Sequence, residues 1–274
     1  VYRPADKSMV QRVFFNDSEG KIWRMNTGGT ALASWAVSSG VPTAADAFFD
    51  PANASGNSAC MLDVNGSTTP VLDASTGAPV MLGVIPVTLP LSNPRPKLFN
   101  RPMLALDQTG LVNVYVGTGD TDHPNDPLGT WDYFYALTDT GTGCARPLFV
   151  LRFAQNEKML ADPAFLNGVV FGTTYLPPSS NICTDAGDGF LYAWDARTGK
   201  PVTAIKNPLT GLMVSKVGLS AINPQLSGSG IPSAPIIRNG KLYLTTETAP
   251  SHPRQVDLGS RPIDVKVKTW QRVK

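Results

Sequence analysis

Four oxygen-bearing side chains lie close together in the segment GTGDTDHPNDP: Asp120, Asp122, Asn125 and Asp126. Carboxylate and amide oxygens are the ligands that hard divalent cations prefer, and His123 could add a nitrogen for a softer metal. The segment lacks the EF-hand spacing with a central glycine and a terminal glutamate. We favour a solvated turn, in which Asp and Asn side chains bond their own backbone, and keep a cation site as the alternative.

The three cysteines, Cys60, Cys144 and Cys183, form no C-x-x-C pair, so zinc and thioredoxin-like sites are not predicted. Cys144 and Cys183 lie in polar, glycine-rich loops of successive units, which makes them the candidate disulfide in an oxidising compartment. Cys60 precedes Met61 and Leu62, and we interpret it as a small buried hydrophobe. A partner upstream of this sequence is the alternative for Cys60.

Catalytic signals are few. The only histidines, His123 and His252, both lie beside prolines in predicted loops, where an acid–base imidazole has no buried carboxylate to orient it. The sequence contains no G-x-S-x-G elbow, P-loop or H-E-x-x-H motif. We therefore predict a protein that is not an enzyme, with no catalytic residues and no cofactor.

The elements that must position these residues are strands and tight turns. Residues 168–175, GVVFGTTY, and 190–194, FLYAW, are short runs of β-branched and aromatic residues, separated by a loop with two prolines. The second run leads into Asp195-Ala-Arg-Thr-Gly199, where Asp can bond its own backbone and Gly can take positive φ. The unit is a strand, a loop, a strand and a turn.

The same turn pattern recurs at Asn26, Asp73, Asp139 and Asp195, with spacings of 47, 66 and 56 residues. Irregular periods of this size are typical of propeller blades with unequal loops. With 25 glycines and 24 prolines, and no sustained helical period, the predicted class is all-β, as a quinoprotein-like β-propeller with irregular blades. A β-sandwich is the alternative.

Five strand pairs are predicted: 13–15 with 21–25, 60–64 with 70–72, 112–116 with 133–137, 168–175 with 190–194, and 241–246 with 265–270. Propellers close with about four to eight blades. The chain opens Val1-Tyr-Arg-Pro4 with no initiator Met, so we expect upstream blades to be missing. Residues 1–274 are expected to form one domain, the C-terminal part of a longer protein.

Composition sets weaker bounds on function. Net charge is +2, charged residues make up 16% of the chain, and Ser, Thr, Asn and Gly carry much of the polarity, as in secreted or envelope proteins. No apolar run reaches the roughly 20 residues that span a bilayer. The alternating basic residues of 261–274 indicate an outer strand with Lys facing solvent, so no nucleic-acid partner is predicted.

Five tryptophans, Trp23, Trp35, Trp131, Trp194 and Trp270, could form stacking platforms for a sugar or a quinone. On strands of a propeller, however, tryptophans mostly pack between blades. We predict packing for them.

In order along the chain, several segments resemble the C-terminal β-propeller domain of the PilY/PilC family of type IV pilus tip-associated proteins. Residues 12–26, RVFFNDSEGKIWRMN, resemble the family's VYxGDxxGxxWRxD segment and keep Asp17, Gly20, Trp23 and Arg24. Further similar segments are 114–119 (VYVGTG), 134–139 (FYALTD), 157–199 with its loop cysteine and D-x-x-T-G turn, 230–235 (GIPSAP) and 268–272 (KTWQR). Each is weak alone, and their order carries the resemblance.

The sequence departs from the family in one loop. Members with a calcium site carry D-x-D-x-D-G-x-x-D immediately before the VYxGD segment, whereas the aligned positions here hold Arg3, Ala5, Lys7 and Gln11. Since carboxylates are replaced by neutral or cationic side chains, calcium is not expected to bind this loop.

The resemblance implies a non-enzymatic protein at the pilus tip or cell surface, reached through the periplasm and outer membrane. It implies minor pilins or other tip proteins as partners, and roles in pilus assembly, adhesion to host or other surfaces, and twitching motility. The alternatives are a pyrroloquinoline-quinone-type propeller dehydrogenase and an envelope scaffold or lectin-like propeller. The long loops 38–57 and 92–101 are the interaction surfaces we expect first.

Overall fold

The computed structural model describes residues 12–26, 47–52, 58–63, 65–91, 97–126, 129–141, 143–178, 186–219 and 229–259. Within these ranges the chain forms β-strands and one short 3-10 turn, Ser58–Met61, and contains no α-helix. The predicted all-β class is therefore confirmed. The prediction of one domain stays a prediction.

Four sheets follow one another along the chain. The first consists of β1 (Arg12–Asn16) and β2 (Ile22–Asn26). The second contains β3 (Val71–Asp73), β6 (Met103–Leu106), β7 (Val112–Gly117), β8 (Tyr133–Asp139) and β9 (Arg146–Arg152). The third contains β10 (Ala164–Leu166), β11 (Val169–Leu176), β12 (Asp188–Asp195) and β15 (Lys216–Gly218). The fourth contains β16 (Ile236–Arg238), β17 (Lys241–Thr246) and β18 (Ala249–Asp257).

Two small hairpins are inserted into this series. They are β4 (Met81–Leu82) with β5 (Ile85–Pro86), and β13 (Ile205–Lys206) with β14 (Met213–Val214). The first follows β3 of the second sheet, and the second lies between β12 and β15 of the third sheet.

Each large sheet is an antiparallel meander that starts from an equivalent strand. The second sheet has the order β6-β7-β8-β9, with β3 added in parallel beside β9, and the third has the order β10-β11-β12-β15. The fourth has the order β16-β17-β18. The first strand of the third sheet, β10, contacts the first strands of both neighbouring sheets, β6 and β16. The sheets are therefore arranged so that their starting strands meet.

The central strands are buried on both faces because their residues alternate between two hydrophobic layers. In β7, Val114 belongs to the layer shared with the first sheet, whereas Tyr115 belongs to the layer shared with the third. In β12, Tyr192 faces the second sheet and Leu191 faces the fourth. This two-residue alternation explains why these strands read as continuous apolar runs in the sequence.

Three layers result, one between each pair of successive sheets. The middle layer is aromatic: Phe134 and Trp194 have ring centroids 5.2 Å apart, and Tyr192 and Trp194 are 4.9 Å apart. Trp23 and Trp194 are buried, which confirms the packing prediction for these two. Trp131 is exposed, contrary to that prediction, and Trp35 and Trp270 lie outside the described residues.

The predicted turns at Asp73 and Asp195 are confirmed. The Asp195 carboxylate accepts hydrogen bonds from the backbone N–H groups of Arg197 and Thr198 and from the Thr198 hydroxyl, at 3.0–3.1 Å. Gly199 closes the turn with a φ of 68°. Asp73 makes the same set of bonds to Ser75 and Thr76.

One of the five predicted strand pairs, 60–64 with 70–72, is wrong, because Cys60 and Met61 lie in the 3-10 turn and β3 pairs in parallel with β9. For this pair the sequence could not rank competing partners of similar composition. Residues 265–270, the predicted partner of 241–246, lie outside the described residues. Within the described residues, β17 pairs with β16 and, after a two-residue connection, with β18.

Candidate functional site

In the candidate cation loop, residues 120–126, Asp120 and Asn125 bind different partners. Asp120 Oδ2 accepts a hydrogen bond from Lys97 Nζ at 2.6 Å and lies 3.4 Å from His123 Nδ1. Asn125 Oδ1 instead accepts a hydrogen bond from the Tyr175 hydroxyl at 2.7 Å. Burial is the largest single effect on the Asp120 carboxyl and tends to raise its pKa. The hydrogen bond and charge of Lys97, together with the hydrogen bonds from the Asp122 N–H and His123, outweigh burial, so the pKa lies below its ordinary value.

The ammonium group of Lys158 lies on the inner side of this loop. Its side chain is buried, and Nζ donates to the backbone carbonyl oxygens of His123 and Asp126 at 3.4 and 3.2 Å. In the described part of the chain, no group of three or more His, Cys, Asp or Glu side chains could hold a metal ion. Asp120 Oδ1 accepts hydrogen bonds from the backbone N–H groups of Asp122 and His123, at 3.0 and 3.3 Å, which is the kind of contact that the turn interpretation predicts. Arg3, Ala5, Lys7 and Gln11, at the family's calcium positions, lie outside the described residues.

Asp132 is a buried carboxyl that the sequence did not single out. Its Oδ1 accepts a hydrogen bond from the Thr118 hydroxyl at 2.7 Å. Burial raises the pKa of Asp132 to about 6, against the opposing effects of the Thr118 hydrogen bond and the Lys158 charge. A carboxyl in this position titrates close to neutral pH.

Glu157 is a second buried carboxylate, only 1% exposed. Its Oε1 accepts hydrogen bonds from the hydroxyls of Thr174 and Tyr192, at 2.5 and 2.7 Å, and its Oε2 lies 3.7 Å from Lys216 Nζ. The lysine ammonium also lies over the Tyr192 ring, 4.5 Å from the centroid. Because Glu157 is engaged by residues on β11, β12 and β15, its evident role is to fix the third sheet to the preceding loop. The sequence signal was an acidic residue opening the segment 157–199, which carried no predicted role.

The predicted Cys144–Cys183 disulfide is wrong, because Cys144 is bonded to Cys60, with a Cα–Cα distance of 5.6 Å. The two cysteines are 84 residues apart, and the turn carrying Cys60 contacts β9, next to Cys144. Such distances permit a bridge whatever the sequence separation. Cys183 lies outside the described residues.

Residues in the family-like motifs hold the fold together. Asp17 accepts a hydrogen bond from Trp23 Nε1 at 2.8 Å and two more from the backbone of its own turn. Gly117 and Gly119 leave room for Met159: an added Cβ would lie 1.9 Å from Met159 Sδ or 2.5 Å from the Met159 carbonyl oxygen, respectively. These motif residues therefore form turns and allow close packing.

The β4–β5 hairpin presents a run of exposed apolar side chains. Met81 is 50% exposed, Leu82 78%, Val84 90% and Ile85 67%. From position 74 to position 94 the sequence contains no charged residue. Burying these side chains would be favourable, because each removes apolar area from water.

The β13–β14 hairpin is similar. Leu209 is 59% exposed and Leu212 67%. Each hairpin follows the sequence D-A-x-T-G-x-P-V, at residues 73–80 and 195–202, and the two turns touch, since a Cβ on Gly77 would lie 2.6 Å from Pro201 Cδ. We call residues 81–86 and 207–213 the hairpin surface. This repeat is the signal in the sequence for two equivalent hairpins. Of the expected interaction loops, 38–57 and 92–101, residues 38–46, 53–57 and 92–96 lie outside the described residues.

No protein-family model matches the sequence, and no curated protein matches it. Among solved structures, the chain is similar to the crystal structure of the Pseudomonas aeruginosa PilY1 C-terminal domain, with 14% identity and a TM-score of 0.48. The match covers 92% of this chain and 58% of that structure. That structure belongs to the family whose motifs the sequence resembles. In the described residues, no helix is long and apolar enough to cross a membrane.

Proposed function

We propose that this chain is a non-enzymatic binding module of a PilY/PilC-like protein at the tip of a type IV pilus. It binds minor pilins, promotes pilus assembly and contributes to adhesion and twitching motility. The proposal is supported by the order of the family-like motifs, whose residues Asp17, Trp23, Gly117 and Asp195 each have a defined place in the fold. The module lies at the cell surface after export, where a disulfide is stable.

The observation that carries the binding role is the hairpin surface. Exposed apolar patches of contiguous side chains on a folded protein mark sites where another protein docks. The β4–β5 hairpin exposes four apolar side chains within five residues, on a segment free of charge. Lysine and other edge-protecting charges, which keep strands apart, are missing from this hairpin. A partner with a complementary apolar face, as proposed for a minor pilin, would remove this surface from water.

We also propose that the four sheets are blades of a β-propeller. Face-to-face packing of successive antiparallel meanders and the contacts between their starting strands, β6, β10 and β16, support this arrangement. An electron-microscopy reconstruction of the full-length protein tests it. A radial ring of blades is the expected result, and a two-sheet sandwich would refute it.

The binding role is tested with purified protein and immobilised minor pilins from the same organism. Asp substitutions at Val84 and Ile85 introduce charge where burial is expected, and should weaken capture by at least about tenfold, the equivalent of about 1.4 kcal/mol. The matched control is Ile236→Asp, since Ile236 is also 66% exposed but lies on β16. In cells, the hairpin variant should also reduce the yield of sheared pili.

The controls separate binding from folding. All three positions are exposed, so the variants should unfold at nearly the wild-type denaturant concentration. Equal capture by the wild-type and hairpin proteins, with normal piliation, would overturn the proposed hairpin site. Absence of capture by every protein, including the wild type, would overturn pilin binding itself.

A further inference from the structure

A row of aromatic side chains leads from the core to the surface on one face of the second sheet. Tyr135 is fully buried against the first sheet, and the Tyr133 ring stacks on it with centroids 6.2 Å apart. Trp131, two residues before Tyr133, is 37% exposed. Among the described tryptophans, Trp131 is the exposed one. The row therefore ends in an indole that reaches solvent from a rigid base.

Arg152 covers part of this indole. It lies in β9 directly opposite Tyr133, and its guanidinium carbon is 4.1 Å from the centroid of the Trp131 ring. Burial raises the pKa of Tyr133, and the positive charge of Arg152, its neighbour across the strand pair, acts in the opposite direction. Arg152 is thus held in place by an aromatic contact and by its strand position.

Within the described residues, the guanidinium of Arg152 has no anionic partner. Over the described ranges, no carboxylate lies within ion-pair distance of Arg152, and its side chain donates no hydrogen bond. Three other arginines are ion-paired: Arg12 and Arg24 share Asp139, and Arg101 pairs with Asp162. A fixed, partly exposed guanidinium with free donors matches the two oxygens of a carboxylate.

We propose that Trp131, Tyr133 and Arg152 form a binding site for an acidic sugar, a pyranose ring that carries a carboxylate. The carboxylate pairs with Arg152, the apolar C–H face of the ring stacks on the exposed part of Trp131, and the Tyr133 hydroxyl is available to a ring hydroxyl. The site combines an apolar platform with a few convergent polar groups, as small-ligand sites do.

The position of the site favours a sugar over a peptide strand. Tyr133 and Arg152 lie on β8 and β9, whose backbones are paired on both sides, with β7 and β3 as the outer neighbours. An extended peptide would find no free edge for backbone hydrogen bonds on this face. A compact ring needs only the side chains that are present.

The test uses the purified protein with 3′-sialyllactose and glucuronate as acidic probes and lactose as the neutral probe, followed by Trp fluorescence and calorimetry. We expect saturable binding of an acidic probe and none of lactose. Arg152→Met should weaken that binding about 10- to 100-fold, the effect of losing a charge-assisted contact. Trp131→Ala should weaken it as well, because it removes the apolar platform for the ring. Arg238→Met is the matched control, because Arg238 is exposed on β16, and should bind like the wild type.

Three results would overturn the site: no binding of either acidic probe, equal binding of lactose, or unchanged binding by both variants while their melting curves match the wild type. Arg152→Lys, which keeps the charge but loses the planar fork, covers the case in which Arg152→Met does not fold, and should bind more weakly than the wild type. The site does not depend on pilin binding. Arg152→Met should still capture minor pilins, and the Val84 and Ile85 variants should still bind the sugar.

Discussion

Arg24 and Asp139 form an ion pair that is completely buried between the first and second sheets. The second carboxylate oxygen of Asp139 accepts a hydrogen bond from Arg12 at 2.8 Å, and Arg24 also donates to the Gly143 carbonyl oxygen at 2.6 Å. The Arg24 guanidinium lies 5.0 Å from the centroid of the Phe48 ring. Strand β2 is thereby tied to the turn after β8, and both charged residues belong to family-like motifs.

Removing Arg24 should be costly, because the buried Asp139 carboxylate would keep only the partly exposed Arg12 as a charged partner. We expect Arg24→Met to lower the free energy of unfolding by about 3–5 kcal/mol. Arg12→Met should cost only about 1 kcal/mol, since Arg12 is 24% exposed and leaves the Arg24 contact intact. Urea unfolding followed by circular dichroism measures both losses.

The double variant Arg24→Met/Asp139→Asn provides the control, because it leaves no unpaired charge from this pair. The free energy of unfolding that the double variant loses should be smaller than the sum of the losses caused by Arg24→Met alone and Asp139→Asn alone. Strict additivity would show that the two residues stabilise the protein independently.

Asp132 gives the protein a pH-dependent stability. Its pKa is about 6 in the folded protein and 3.8 ordinarily, so the folded state binds the proton more tightly. Its stabilising contribution is complete below about pH 4 and is lost as pH rises through 6, a change of about 3 kcal/mol. Asp132→Asn cannot titrate and retains an oxygen for Thr118, so it should gain about that much relative to the wild type between pH 4 and pH 7.

The measurement is urea unfolding of the wild type and Asp132→Asn at several pH values across this range. Asp122→Asn, at an exposed position of the neighbouring loop, is the matched control and should follow the wild type. A constant difference between Asp132→Asn and the wild type at all pH values would contradict the assigned pKa.

The Cys60–Cys144 bridge should be found by mass spectrometry of peptides prepared without reduction. With three cysteines in the chain, one thiol is left, and we expect alkylation at Cys183. Cys60→Ser should lower the free energy of unfolding by about 2–4 kcal/mol, because the bridge restricts a long loop in the unfolded chain. A Cys144–Cys183 peptide would contradict the structure and restore the pairing expected from the sequence.

Gly117 should not tolerate a side chain. An alanine Cβ would lie 1.9 Å from Sδ and 2.7 Å from Cβ of the buried Met159. We expect Gly117→Ala to lower the free energy of unfolding by about 1–3 kcal/mol through overpacking. Adding Met159→Ala makes room for the new methyl group, so the double variant should lose less than the sum of the single losses. Thermal unfolding compares the four proteins.

The sequence by itself determined the all-β class and the local turns. β7 and β12 could be predicted because residues buried on both faces leave continuous apolar and aromatic runs. The Asp73 and Asp195 turns could be predicted because each aspartate bonds to a backbone N–H only two or three residues away. Both partners of each hydrogen bond lie within a few consecutive residues, so the sequence alone shows them.

Only the tertiary structure decided the partners across long separations. It joined Cys144 to Cys60, placed β3 beside β9 and put Lys158 inside the loop that looked like a cation site. It also brought Arg152 over Trp131, two residues with no sequence signal in common. Composition cannot rank such pairings, because each depends on how several sheets pack together, and that packing is a property of the whole chain.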